Sequence, residues 1–223
     1  MSKKNELLKL FPEQALLPLF FNKDTQVSID VLKALYNAGI RAVEYTNRGE
    51  DALKNFREMR KVVEAEMPGM YLGIGTIKNA AAAKAFIEAG ADFLISPGLA
   101  EDVVKVADEH GILWIPGCMT PTEIIRAEQL GAPVIKLFPG NMLGPSFLST
   151  IKEIFPALMF MPTGGVEAEE GNLKGWFKAG VVAVGMGSKL ITKEVVAQKD
   201  YEGLTASVQS ALQLVKKVAA GPF

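Results

Sequence analysis

The sequence predicts an α/β fold: a single (β/α)8 TIM barrel over residues 1–223, preceded by a short N-terminal helix. Three observations carry that expectation. Short apolar runs of strand length alternate along the chain with amphipathic stretches whose apolar residues recur at helical spacing. A glycine separates helix from strand at Asn37-Ala38-Gly39-Ile40, Glu88-Ala89-Gly90, His110-Gly111 and Lys178-Ala179-Gly180, the common helix C-terminal signal repeated. Glycine pairs of the kind that receive anions follow the last two strands, where such barrels tend to bind phosphate. A doubly wound open sheet shares the first two features, and the third selects the barrel.

Taken in order, the polar opening Met1 to Glu6 leads into Leu7, Leu8 and Leu10 and then meets Pro12 and Glu13, too soon for a signal-peptide core. Strands are expected at 16–20, 40–45, 71–75, 93–95, 112–115, 134–137, 158–161 and 181–184. Between them, 27–37, 51–66, 80–88 and 122–130 read as amphipathic helices. No linker interrupts the alternation, so the whole chain is expected to form one domain.

Composition narrows the function classes. The formal net charge is −1 and the charges are mixed, with no basic block, which argues against nucleic acid or a membrane surface as partner. No apolar run approaches the length of a membrane span. One cysteine excludes an intramolecular disulfide, and with one histidine it cannot build a thiolate or imidazole metal cage, so no metal or cofactor is expected. A reducing cytoplasm suits this usage.

Lys136 lies in Val134-Ile135-Lys136-Leu137-Phe138-Pro139-Gly140, an apolar run holding one amine. On a barrel's inner face that amine would be desolvated, which favours its neutral, nucleophilic form and suits Schiff-base chemistry with a carbonyl. Taken alone, the lysine reads equally as a stem that snorkels to solvent or pairs with a carboxylate. The two-residue period of a strand places Glu44 inward with Ala42 and Thr46 and leaves Val43 and Tyr45 against the helices. The same period places Lys136 inward with Val134 and Phe138, while Ile135 and Leu137 pack outward. One acid and one amine in a confined apolar site can move protons during imine formation and carbon–carbon cleavage. The plain alternative is a buried structural ion pair.

Other signals are weaker alone. Gly73-Ile74-Gly75-Thr76 would let a ligand approach the backbone and leave the Thr76 hydroxyl free, although close packing or a turn explains such glycines equally. Arg48 supplies a planar cation at the barrel mouth. Pro162-Thr163-Gly164-Gly165-Val166 and Gly185-Met186-Gly187-Ser188 offer backbone N–H groups, a hydroxyl and a following helix N-terminus to an anion, or else are paired tight turns. His110 reads as a helix C-terminal residue, Cys118 as a small pocket-lining residue without a base, and Trp114 and Trp176 as packing residues.

With these motifs in order, the chain resembles the 2-keto-3-deoxy-6-phosphogluconate (KDPG) aldolases, including bifunctional members that cleave 4-hydroxy-2-oxoglutarate (KHG). The resemblance rests on Val43-Glu44 with Thr46 and Arg48, Gly73-Ile74-Gly75-Thr76, Ile95-Ser96-Pro97-Gly98, Ile115-Pro116-Gly117, Ile135-Lys136-Leu137-Phe138-Pro139, Pro162-Thr163-Gly164-Gly165 and Gly187-Ser188. It implies a metal-independent class I aldolase, usually a homotrimer, acting on a small 2-keto acid. Lys136 then matches the Schiff-base lysine and Glu44 the general acid/base. Arg48 and Thr76 match residues that hold the pyruvyl carboxylate, with Thr163 close by. Pro97 and Phe138 match pocket-lining residues, and Gly164, Gly165 and Ser188 match the phosphate end. Asn47, Gly49, Gly140-Asn141-Met142 and the bulky Phe20-Phe21-Asn22 depart from the family pattern, which bears on substrate preference.

Overall fold

A computed structural model describes residues 2–222. Helix α1 (Lys3–Gln14) starts at Ser2, whose side chain accepts from the Asn5 N–H, and ends at Ala15 in the left-handed region. Nine strands follow among the described residues: β1 (Leu16–Phe20), β2 (Ala42–Thr46), β3 (Tyr71–Gly75), β4 (Phe93–Ile95), β5 (Leu113–Ile115), β6 (Gly117–Cys118), β7 (Val134–Leu137), β8 (Met159–Pro162) and β9 (Val184–Met186). The helices between and after them are α2 (Thr25–Asn37), α3 (Ala52–Glu66), α4 (Ala80–Glu88), α5 (Glu101–Glu109), α6 (Pro121–Gln129), α7 (Gly140–Ile151), α8 (Glu170–Lys178), α9 (Lys193–Gln198) and α10 (Tyr201–Ala219).

Every strand pair is parallel. Six strands run in the order β5-β4-β3-β2-β1-β9 and three in the order β6-β7-β8. Two joints close these arcs into the expected barrel. The Thr163–Gly185 bridge and the Val182 N–H bonded to Phe160 O at 3.0 Å connect β8 to β9. At the other joint β5 and β6 are one barrel position broken at Pro116, which has no N–H for the ladder but whose carbonyl accepts from Lys136 N at 2.9 Å.

The strand bounds differ from the sequence reading where pairing decides them. The strand expected at 112–115 starts at Leu113 and resumes beyond Pro116 as Gly117–Cys118, and 158–161 moves by one residue. The run at 181–184 was placed too early, because β9 pairs with β1 only from Val184 opposite Leu16. The run at 40–45 begins as ladder only at Ala42, since the N–H groups of Arg41 and Ala42 are taken by the Gln14 side chain. The helix-ending glycines do what their positions suggest: Gly39, Gly90, Gly111 and Gly180 all adopt positive φ, which costs glycine least.

Alternation sorts the strands into two apolar layers. Leu17, Ala42, Phe93, Ile95, Val134 and Met161 fill the barrel interior together with Leu7 and Phe11 of α1, and the Phe11 ring meets Phe93 edge-on at 5.6 Å. Val43, Tyr45, Ile135 and Leu137 face the helices. Helix α1 therefore plugs the N-terminal end, and the C-terminal rim is left to the loops. No helix among the described residues is long and apolar enough to cross a membrane.

Candidate active site

Glu44 on β2 and Lys136 on β7 both point into the barrel, as the two-residue period requires. Lys136 Nζ lies 3.6 Å from Glu44 Oε1, and the two side chains are only 5% and 1% exposed. That spacing is a close electrostatic contact but longer than a strong charge-assisted hydrogen bond. The Phe138 ring, half-buried, lies with its centroid 5.2 Å from Nζ and covers the amine on one side. Glu44 Oε2 and Thr163 Oγ1 are buried and have no hydrogen-bond partner among the described residues. Buried polar atoms are nearly always paired, so an unpaired carboxylate oxygen on the residue beside the amine marks a place for a polar ligand.

For the glycines of β3 the close-packing alternative holds. A Cβ at Gly75 would overlap the Glu44 carboxyl, and one at Gly73 would overlap the Phe93 ring. These glycines admit neighbouring side chains rather than a ligand. Thr76, just beyond, has φ of 61°, an uncommon conformation for a β-branched residue that calls for support from its surroundings. The next N–H, of Ile77, is anchored to Ile95 O at 3.1 Å.

Arg48 follows β2 at the rim and is exposed, with no side-chain ion pair among the described residues. It lines a cavity of about 440 Å³ with Phe21, Asn22, Gly187, Ser188 and the start of α9. Thr76, Pro97, Glu44 and Lys136 do not line that cavity. Pro97 instead borders a smaller one with Lys78 and Leu99. The sequence-derived set is thus divided: a buried reacting pair under the rim, and an Arg48–Ser188 group on the side of β1 and β9.

The two glycine motifs also sit differently from their sequence reading. Pro162 ends β8, and Gly185 and Met186 belong to β9, so Thr163, Gly164 and Gly165 follow the one strand and Gly187 and Ser188 the other. Helix α9 begins at Lys193, too far along and too short to aim a dipole at Ser188. Gly164 and Gly165 take positive φ, and a Cβ on Gly165 would press on Asn141. The same junction is tied by Gly140 N donating to Thr163 O at 2.8 Å. Lys189 and Glu167, 2.7 Å apart, join the loops after β8 and β9.

His110 closes α5, with Nδ1 2.9 Å from Val106 O. Burial pushes the Cys118 thiol up to about 12, which leaves it protonated and unreactive at neutral pH. Trp114 donates to the buried Ser96 hydroxyl at 2.9 Å, bracing the turn that carries Pro97.

One supporting residue escaped the sequence reading. Asn55 of α3 is buried and donates from Nδ2 to the carbonyls of Asn22 and Lys23, both at 3.0 Å. Tyr45 Oη also donates to Asn22 O, at 2.7 Å, and burial raises its phenol above the ordinary value. The signal was present: Ala52, Asn55, Phe56 and Met59 share the buried face of α3, and an amide among apolar neighbours has something to hold.

A model of the KDPG and KHG aldolase family matches residues 8–207 of this chain. The chain is 32% identical over 200 residues to the 2-dehydro-3-deoxy-phosphogluconate aldolase of Treponema pallidum (strain Nichols), spanning 89% of this chain and 92% of that protein. It is 31% identical over 201 residues to the KHG/KDPG aldolase of Escherichia coli (strain K12), spanning 90% and 92%. A solved KDPG aldolase from Legionella pneumophila, with pyruvate captured at low pH as a covalent carbinolamine intermediate, superposes with a TM-score of 0.80 at 25% identity, covering 88% of this chain and 93% of that one.

Proposed function

The chain belongs to the KDPG and KHG aldolase family and is a carbon–carbon lyase, and on that premise we propose that it cleaves 2-dehydro-3-deoxy-6-phosphogluconate through a Schiff base on Lys136. The neutral amine adds to the C2 carbonyl to give a carbinolamine, and water leaves as the iminium forms, with Glu44 supplying and removing protons. Glu44 then takes the C4 hydroxyl proton. The C3–C4 electron pair moves to the iminium nitrogen, releasing glyceraldehyde 3-phosphate and leaving an enamine. Protonation at C3 by Glu44 and hydrolysis of the imine release pyruvate and restore the amine.

One observation carries this reading: a buried amine stands 3.6 Å from a buried carboxylate whose second oxygen accepts nothing from the described residues. A purely structural buried pair needs close contact and filled lone pairs to offset its desolvation. The covalent pyruvate adduct of the Legionella relative supports the same first step. In this reading Arg48 and Thr76 hold the pyruvyl carboxylate near Thr163, Pro97 and Phe138 line the pocket, and Gly164, Gly165 and Ser188 receive the phosphate.

The bifunctional name of the Escherichia coli relative favours a second substrate, 4-hydroxy-2-oxoglutarate, whose distal anion is a carboxylate. Comparing turnover of the two substrates decides between one activity and both. The family resemblance also supports a cytoplasmic homotrimer, and a solution mass other than three times 24.0 kDa removes the trimer.

The deciding experiment is borohydride reduction in the presence of pyruvate, with peptide mapping, beside Lys136→Ala. A reduced pyruvyl adduct on Lys136, absent from the variant, is expected. A folded protein that forms no adduct would overturn the Schiff base.

A further inference from the structure

The cavity of about 440 Å³ at the rim is lined by Phe20 and Phe21 together with Asn22, Arg48, Ser188 and Lys193. Gly49, directly after Arg48, is not in the positive-φ region, so its backbone does not require glycine. Space does: a Cβ there would lie 2.6 Å from Phe21 Cζ and 3.1 Å from Cε1. The ring has little room to retreat. Behind it stands Tyr45, with ring centroids 5.7 Å apart, and the Tyr45 hydroxyl is fixed to Asn22 O. Asn22 O also accepts from Asn55 Nδ2 at 3.0 Å and Ser28 Oγ at 3.2 Å, so the loop carrying Phe21 is held at its base. Any side chain at position 49 would therefore drive the ring toward the cavity.

We propose that Phe21 and Gly49 act as one coupled wall that sets which aldehyde half of the substrate the site accommodates. The inference rests on the reading of Lys136 as the Schiff-base residue and of Ser188 as part of the distal end. The wall is apolar and lies in one cavity with the Ser188 hydroxyl and Lys193, which suits a short carbon chain ending in an anion. A three-carbon phosphorylated aldehyde offers that shape. Lys136, Glu44 and Thr76 do not line this cavity.

The test is a double-mutant cycle on Gly49→Ala and Phe21→Ala, with Phe21→Leu as a milder ring removal, read on two assays. Steady-state kinetics with 2-dehydro-3-deoxy-6-phosphogluconate report the whole site, and borohydride trapping of pyruvate reports the Lys136 half alone. Gly49→Ala is expected to raise KM by about tenfold with little change in pyruvate trapping, as a misplaced apolar group in a pocket does. Adding either Phe21 substitution should recover part of that loss, a non-additivity expected of residues in contact. Additive effects, unchanged KM in Gly49→Ala, or an equal loss in pyruvate trapping would each overturn the coupled wall. Wild-type protein that traps no pyruvate would instead overturn the Schiff-base reading, so the two failures are told apart.

Discussion

Burying a carboxylate and leaving one of its oxygens without a donor costs stability, and Glu44 does both within 3.6 Å of an amine. The cost is reasonable if that oxygen must be free to take a proton. Glu44→Gln keeps the shape and removes the proton acceptor, so kcat should fall by about 10²- to 10⁴-fold with KM little changed. Rate measurements with the phosphorylated substrate check this, and a kcat within a factor of about ten of wild type would remove Glu44 from the proton path. Both members of the pair were legible in the sequence, because the two-residue period of a strand fixes which side chains share the interior. Gly73 and Gly75 were legible only as small residues. A glycine reports that space is needed, and only the fold shows that Phe93 and the Glu44 carboxyl take it. The contact between Phe21 and Gly49 lay beyond the sequence for the same reason: nothing local in either residue points to the other.

Elements were easier to read than their ends. All eight barrel positions were expected, since apolar runs, helical spacing and terminal glycines agree with one another along the chain. The ends moved wherever a partner rather than a propensity decides: β9 waits for the start of β1, and the fifth position breaks at a proline that cannot serve the ladder. The clearest case is Gln14, at the last turn of α1. Its amide donates to Leu16 O and Ala42 O, and its carbonyl accepts from Arg41 N and Ala42 N. One buried side chain thus stands in for a stretch of missing sheet between α1, β1 and β2. Gln14→Leu would leave those backbone groups unpaired in an apolar setting, at a cost of about 3 kcal/mol. A urea titration of variant against wild type measures it. A difference below about 0.5 kcal/mol, the scale of an ordinary surface change, would show that the four bonds are replaceable.

At the scale of the whole molecule, the two ends of the barrel carry different loads. The C-terminal rim holds the reacting pair, the Arg48–Ser188 cavity and the loops that border them. The N-terminal end is closed by α1 and by Asp92, a carboxylate 2% exposed that gathers Lys3 at 2.8 Å, Arg60 at 2.6 Å and the Leu72 N–H at 2.9 Å. Parallel strands in a ring make this separation natural, because every loop that follows a strand emerges at the same end. Asp92→Ala strips a mostly buried guanidinium of its buried partner and leaves it only the exposed Glu64, and breaking such a pair from one side should lower stability by about 3 kcal/mol. The exposed Lys3 should contribute little of that loss. Well below the unfolding transition the same variant should trap pyruvate and turn over substrate at wild-type rates. Lys136→Ala also leaves a buried partner, Glu44, behind, but it should lose turnover and trapping while still folded. Denaturant titrations paired with trapping assays on both variants test the division together. If Asp92→Ala lost activity while still folded, the base of the barrel would have to be transmitting strain to the rim, and the two ends would not be separable.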